Sequence, residues 1–223
     1  MIRNKLFFMA ILLAAVAAVA GMPELTLNPE GVFSKDESRV YGLYSNESGE
    51  RVGESRISCR IEDSTLRIVD SISRSEVEIT YPGLTPIYGF KIIEYGGTYE
   101  IESRFTEDSI VINAQTPQGE QNHTQEIPDG VLLHNDQLLV TLRAMDFSER
   151  KQRFKLFNPA NASVIEGAAV VRGIEEIEVP AGEFEAYRVA LDFGTEVQEV
   201  YYEKDFPHRM LLYNNGTIQY RLE

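Results

Sequence analysis

Period-two alternation, cut at short intervals by turn residues, is what most limits the folds open to this chain. Val77, Ile79 and Tyr81 alternate with Glu76, Glu78 and Thr80, and Tyr99 and Ile101 alternate with Glu100 and Glu102. Tyr187, Val189, Leu191 and Phe193 oppose Arg188 and Asp192, while Ile218, Tyr220 and Leu222 oppose Gln219 and Arg221. Successive side chains of a strand point to opposite faces, so each segment is wet on one side and buried on the other, as in an antiparallel sheet. Asn215-Gly216, between two apolar runs, is the strongest hairpin signal, because both residues tolerate positive φ. Gly96-Gly97, Pro180-Ala181-Gly182, Gly49 and Gly119 punctuate further strand pairs. Residues 135–145 break the rhythm. There Leu138, Leu139, Leu142 and Met145 recur at helical spacing behind Asn135 or Asp136 as a cap, which predicts one amphipathic helix laid on the sheet. Residues 117–128 are polar and read as a long loop or irregular edge. The expected fold is therefore mainly all-β: a strongly curved antiparallel sheet or half-barrel, with one or two short helices packed on its concave face.

The N-terminus reads as an export signal. Arg3 and Lys5 precede an apolar run from Leu6 to Val19, and Ala18-Val19-Ala20 fits the small-residue cleavage pattern ahead of Gly21. The rival is an uncleaved anchor, since the 17 residues from Leu6 to Met22 carry no charge. Both readings place the remainder outside the cytoplasm, in the periplasm, at the cell surface or secreted. The expected organisation is a signal over residues 1–20, an irregular leader over 21–38 lying before the fold, and one β domain over 39–223, with no linker dividing it. Four Asn-X-Ser/Thr sites, at Asn46, Asn122, Asn161 and Asn215, agree with export and are glycosylation candidates.

Charge and composition exclude more than they assign. The formal charge is −14, and loss of Arg3 and Lys5 takes it to −16. That argues against nucleic acid and against docking on anionic lipid heads, leaving membrane contact to the N-terminal segment if it is retained. Cys59 is the sole cysteine, so no internal disulfide or thiolate zinc site exists. Its alternation with Ile57 and Ile61 marks it as a small buried hydrophobe. No nucleophile elbow, phosphate-binding loop or dinucleotide fingerprint occurs, and His123, His134 and His208 have no metal-ligand spacing. No cofactor is expected, and the chain is expected not to be an enzyme. The densest group of chemical side chains is Glu203, Asp205 and His208, which turn chemistry around Pro207 explains without a site. Tyr41, Tyr44, Phe90, Tyr99, Phe184, Tyr187, Tyr201 and Tyr220 are spread over many strands, as a core or as the lining of an apolar cavity.

A resemblance enters in the C-terminal half. Residues 173–189, centred on Val179-Pro180-Ala181-Gly182-Glu183-Phe184, form a strand, "VPAG-F" turn, strand signature. A strand ending in Tyr201-Tyr202-Glu203-Lys204-Asp205 and the run Pro207-His208-Arg209-Met210 follow it. Upstream stand Asp136 to Arg143, like the short helix such proteins place there, and Gly49 to Gly53 at a hairpin position. Together these resemble an exported domain-of-unknown-function family whose fold is similar to lipoprotein-carrier (LolA/LolB-like) half-barrels. The resemblance covers residues 39–223, with 179–210 distinctive. It implies a curved sheet around short helices and, by analogy with the carriers, a concave interior that holds acyl chains. The expected lining of such an apolar site is Leu138, Leu142, Met145, Phe184 and Tyr187. The residues leave three readings: a non-catalytic envelope protein binding a lipid or other apolar ligand, a surface interaction module with a filled core, and a hydrolase using Asp205 and His208.

Overall fold

The computed structural model describes residues 21–194 and 197–223, and the expected signal over residues 1–20 lies outside them. The described residues build a single curved, unclosed sheet of 15 strands. The N-terminal half is a meander: β1 (Asp36–Ser45), β2 (Arg51–Glu62), β3 (Thr65–Asp70), β4 (Ser75–Thr80), β5 (Pro86–Glu94), β6 (Thr98–Phe105), β7 (Ser109–Thr116) and β8 (Gly119–Glu126). After the short β9 (Leu132–His134), the chain continues through β10 (Lys151–Asn158), β11 (Ser163–Val179), β12 (Gly182–Asp192), β13 (Val197–Glu203), β14 (Met210–Asn214) and β15 (Ile218–Leu222). The halves join through antiparallel pairing of β1 with β15, from Tyr41 opposite Leu222 to Ser45 opposite Ile218. β8 and β9 are the free ends of the sheet, and β9 pairs in parallel with β10.

The turns fall where turn residues stand. Asn215-Gly216 links β14 to β15, with Asn215 Oδ1 accepting from the Ile218 amide at 2.8 Å and Gly216 at φ 90°. Pro180-Ala181 separates β11 from β12, and Gly182 takes φ 135° there. Alternation is equally direct in β4, where Ser75, Val77 and Ile79 are buried while Glu76, Glu78 and Thr80 reach the surface.

Three sequence expectations need correction. Residues 117–128, expected as a long loop or irregular edge, are an edge but a regular one: β8 pairs with β7 over eight residue pairs, with almost every side chain exposed. The leader is irregular but does not lie before the fold. Leu25, Val32 and Phe33 are buried, and the Leu25 amide donates to the Arg153 carbonyl at 2.8 Å and the Asn28 amide to Ala144 at 2.7 Å. The leader is thus a strap stitched onto β10 and the central helical segment.

That segment is the third correction. It consists of α1 (Leu138–Thr141) between two 3-10 turns, Asn135–Gln137 and Leu142–Ala144. Its cap is His134, not Asn135 or Asp136: the imidazole Nδ1 accepts the Asp136 amide at 3.1 Å, and the Gln137 side chain returns to the His134 amide. The segment is not amphipathic in place. Leu138, Leu142 and Met145 enter the core of the C-terminal half, and Val140 and Ala144 enter that of the N-terminal half. It is a plug with apolar neighbours on both sides. A one-turn helix has little stability of its own, so this packing is what holds it.

Polar ties fix the plug. Arg143 and Glu37 form a buried ion pair, Arg143 also donates to the Val32 carbonyl at 2.9 Å, and its guanidinium lies 5.2 Å from the centre of the Phe33 ring. The Tyr202 hydroxyl donates to the Leu139 carbonyl at 2.8 Å, and the Gln137 amide donates to the Leu84 carbonyl at 3.0 Å.

Candidate functional site

Where the two halves of the sheet face each other across the plug, a cleft of about 520 Å³ opens. Its floor is apolar, from Leu138, Leu139, Val140, Leu156 and Ile57. Its walls are polar. One carries Asp70, Ser73 and Lys91 from the N-terminal half, and the other carries Asn158, Gln198, Tyr213 and Tyr220 from the C-terminal half. Pockets that bind small molecules combine an apolar body with a few placed polar groups, and volumes of roughly 300–1,000 Å³ are usual.

The wall chemistry is fixed in detail. Lys91 on β5 meets Asp136, beside the His134 cap, at 2.6 Å, with side chains 18% and 6% exposed. Asp70 at the end of β3 accepts from the Ser55 hydroxyl at 2.5 Å, the Ile72 amide at 3.0 Å and the Ser73 hydroxyl at 2.7 Å. The Tyr213 hydroxyl donates to Gln198 at 2.5 Å, and burial holds its phenol well above the ordinary tyrosine range. Tyr220 packs against Tyr213 with ring centres 5.6 Å apart, and its phenol is pushed up to about 12 by burial and by the charges of Asp70 and Asp136. Both phenols therefore stay protonated and neutral at physiological pH.

Of the residues expected to line an apolar site, only Leu138 reaches this cleft. Leu142 and Met145 are core, 0% and 4% exposed, because the plug is covered on both sides. Tyr187 stacks on Phe147 with ring centres 4.4 Å apart, and Phe184 lies under the Arg209 guanidinium at 5.4 Å. Sequence reasoning missed Lys91 and the role of Asp136. The available signal was a lysine inside the apolar run Phe90-Lys91-Ile92-Ile93.

A second cavity, of about 550 Å³, lies where the leader meets the β4–β5 and β6–β7 turns, lined by Leu25, Leu27, Leu84, Phe105, Ile127 and Leu132 among others. It has fewer anchoring polar groups than the first.

The remaining candidates are structural in their contacts. Glu203 receives both the Nε and an Nη of Arg209, at 2.6 and 2.7 Å, and His208 Nδ1 lies 3.0 Å from the Glu203 carbonyl oxygen. The His208 ring sits among Phe147, Tyr187 and Phe206. A serine, a histidine and an aspartate also approach one another at Ser103, His134 and Asp136. There Nδ1 already accepts the Asp136 amide, which leaves the ring proton on Nε2, opposite to the tautomer a serine nucleophile needs. Ser103 and His134 are 0% and 1% exposed, and burial pushes the imidazole down to about 4. Among the described residues no three His, Cys, Asp or Glu side chains gather as a metal site, and no helix is long and apolar enough to cross a membrane. Of the glycosylation candidates, Asn46, Asn122 and Asn161 are exposed. Asn215 is half-buried at the cleft, with its side chain engaged by the Thr217 and Ile218 amides.

No protein-family model matches the chain, and no curated protein matches its sequence. Among solved structures, a beta-barrel-like protein of domain of unknown function DUF1849 from Brucella abortus is similar at 10% identity and a TM-score of 0.48. The match covers 83% of this chain and 94% of that one.

Proposed function

We propose that this chain is an exported, non-catalytic binding protein that holds an amphiphilic ligand, such as a lipid or acyl chain, in the cleft between the halves of its sheet. The observation that carries the reading is the pairing of an apolar floor with polar walls in one cleft of about 520 Å³. Export is supported by the Arg3, Lys5 and Leu6 to Val19 pattern with its Ala18-Val19-Ala20 site. The absence of catalysis is supported by the engagement of Glu203 with Arg209 and by the tautomer and burial of His134. Likeness to the lipoprotein-carrier half-barrels is supported by residues 173–189, whose strands and Pro180-containing turn form the β11–β12 hairpin.

The interior also favours a second reading, an interaction module with a filled core, since buried apolar side chains pack into three clusters among the described residues. One experiment separates the two. Native mass spectrometry of protein taken from its own envelope, with organic extraction of the same sample, should find a lipid-class mass, and Leu139→Trp, which fills the cleft floor, should lose it. A bare polypeptide mass, with no uptake of added amphiphile by the wild type, would transfer the assignment to the interaction module.

A further inference from the structure

We infer that the ligand of this cleft carries an uncharged, oxygen-rich head group, a polyol such as the glycerol of a monoacylglycerol, and that the Lys91–Asp136 pair enforces that choice. The inference rests on the cleft-binding reading above and adds the chemistry of the head.

The argument begins with the charges already in the walls. Among the described residues Lys91 is the cation of the cleft wall, and Asp136, at 2.6 Å and 6% exposed, neutralises it. Asp70 is the third charged group, and its two oxygens are occupied by the Ser55 and Ser73 hydroxyls and the Ile72 amide. Among the described residues the cleft thus holds two carboxylates against one ammonium. A carboxylate head would add a third negative charge beside a lysine that has no charge left to match it, over an apolar floor that weakens screening. An ammonium head fares no better. Asp136 is enclosed and already paired with Lys91, and both oxygens of Asp70 are engaged by hydroxyl and amide donors, so an ammonium finds no carboxylate ready to receive it.

A hydroxyl meets none of these costs. Lys91 has three N–H donors and one carboxylate oxygen as partner at 2.6 Å, so it can still donate to a ligand oxygen. The neutral phenol of Tyr220 offers a second donor in the opposite wall, and the protonated Tyr213 stays hydrogen-bonded to Gln198 rather than charged. Hydroxyls both donate and accept, so a polyol can answer walls of mixed polarity without importing charge. The aliphatic chain of such a molecule has Leu138, Leu139 and Val140 beneath it.

The test compares three heads on one tail: 1-monodecanoylglycerol, decanoate and decylamine, titrated calorimetrically into the purified protein below their micellar concentrations. The expected result is binding of the glycerol ester at least about tenfold tighter than either charged analogue. In Asp136→Asn, whose side chain keeps the shape but frees the Lys91 charge, decanoate should gain about tenfold while the ester moves by less than about threefold. Equal or tighter binding of a charged head by the wild type overturns the inference and leaves the cleft-binding reading standing. Selectivity that survives unchanged in a folded Asp136→Asn overturns the role given to the pair. Should that variant not fold, Lys91→Met takes its place, and selectivity unchanged there overturns the role equally. Failure of all three compounds to bind the wild type overturns the cleft-binding reading itself and the inference with it.

Discussion

Glu37→Gln tests how the plug is held, and the expected loss can be worked from the contacts. Glu37 and Arg143 are both nearly enclosed, with side chains 6% and 7% exposed, and they join β1 to the plug. The guanidinium also ties in the leader through the Val32 carbonyl and the Phe33 ring. Removing one partner of a buried pair strands the other charge, which typically costs about 3–5 kcal/mol. Glutamine keeps an acceptor in place, so the lower end, about 3 kcal/mol, is expected. For a chain of this size that corresponds to a Tm lowered by roughly 6–12 °C. Asp36, the neighbouring residue, supplies the control. Its pair with Arg60 is exposed at 64% and 56%, and Asp36→Asn should cost under about 1 kcal/mol. Urea unfolding of Glu37→Gln, Arg143→Met and the double variant then completes a cycle. The double variant should be no less stable than Arg143→Met alone, because the uncompensated charge leaves with its partner. A Glu37→Gln loss within about 1 kcal/mol of wild type, or a double variant equal to the sum of the singles, would refute the reasoning.

Three further outcomes are expected. His134 has its imidazole pushed down from 6.5 to about 4 by burial, so the unfolded chain takes up a proton that the folded one refuses. The contribution is complete above about pH 6.5 and is lost as pH falls toward 4, by about 3 kcal/mol in all, and urea unfolding of His134→Gln should show a flatter slope across that window. Gly89→Ala should destabilise by roughly 1–3 kcal/mol in thermal unfolding, since its Cβ would stand 2.5 Å from His134 Nε2 and 2.7 Å from Ser103 Oγ; an unchanged Tm would contradict the packing. Cys59 is buried and its thiol is pushed up to about 12 by burial, so iodoacetamide should label it only in denaturant, and rapid labelling of the native protein would contradict its place in the core.

Local chemistry made much of this fold legible. Asn215-Gly216, Pro180-Ala181-Gly182 and the alternation of residues 75–80 each specify their structure within a few positions, and Cys59 carries its burial in the pattern of its neighbours. What stayed hidden depended on partners distant in sequence. β8 has no apolar side chain to alternate, and it is a strand only because β7 supplies its hydrogen bonds. The leader has no periodicity, yet Leu25, Val32 and Phe33 find pockets made by β10, the plug and the N-terminal meander. In the plug, spacing identified the stripe formed by Leu138, Leu142 and Met145 but could not reveal that Val140 and Ala144 meet a second core. The same limit hid the cleft, because Lys91 and Asp136 lie on separate elements that only the curvature of the sheet brings together.

The pairing of β1 with β15 bears on how the molecule is made. Tyr41 and Leu222 are neighbours in the sheet although about 180 positions separate them, so this seam forms only after a very long loop closes. Until β15 arrives, both halves display an unpaired strand edge at what will become the centre of the sheet, the kind of surface that recruits foreign strands. A chain of this design therefore has no early half that is safe to leave alone. Such a chain needs either rapid completion or a holding chaperone, and loss of the few residues of β15 would open the sheet down its middle.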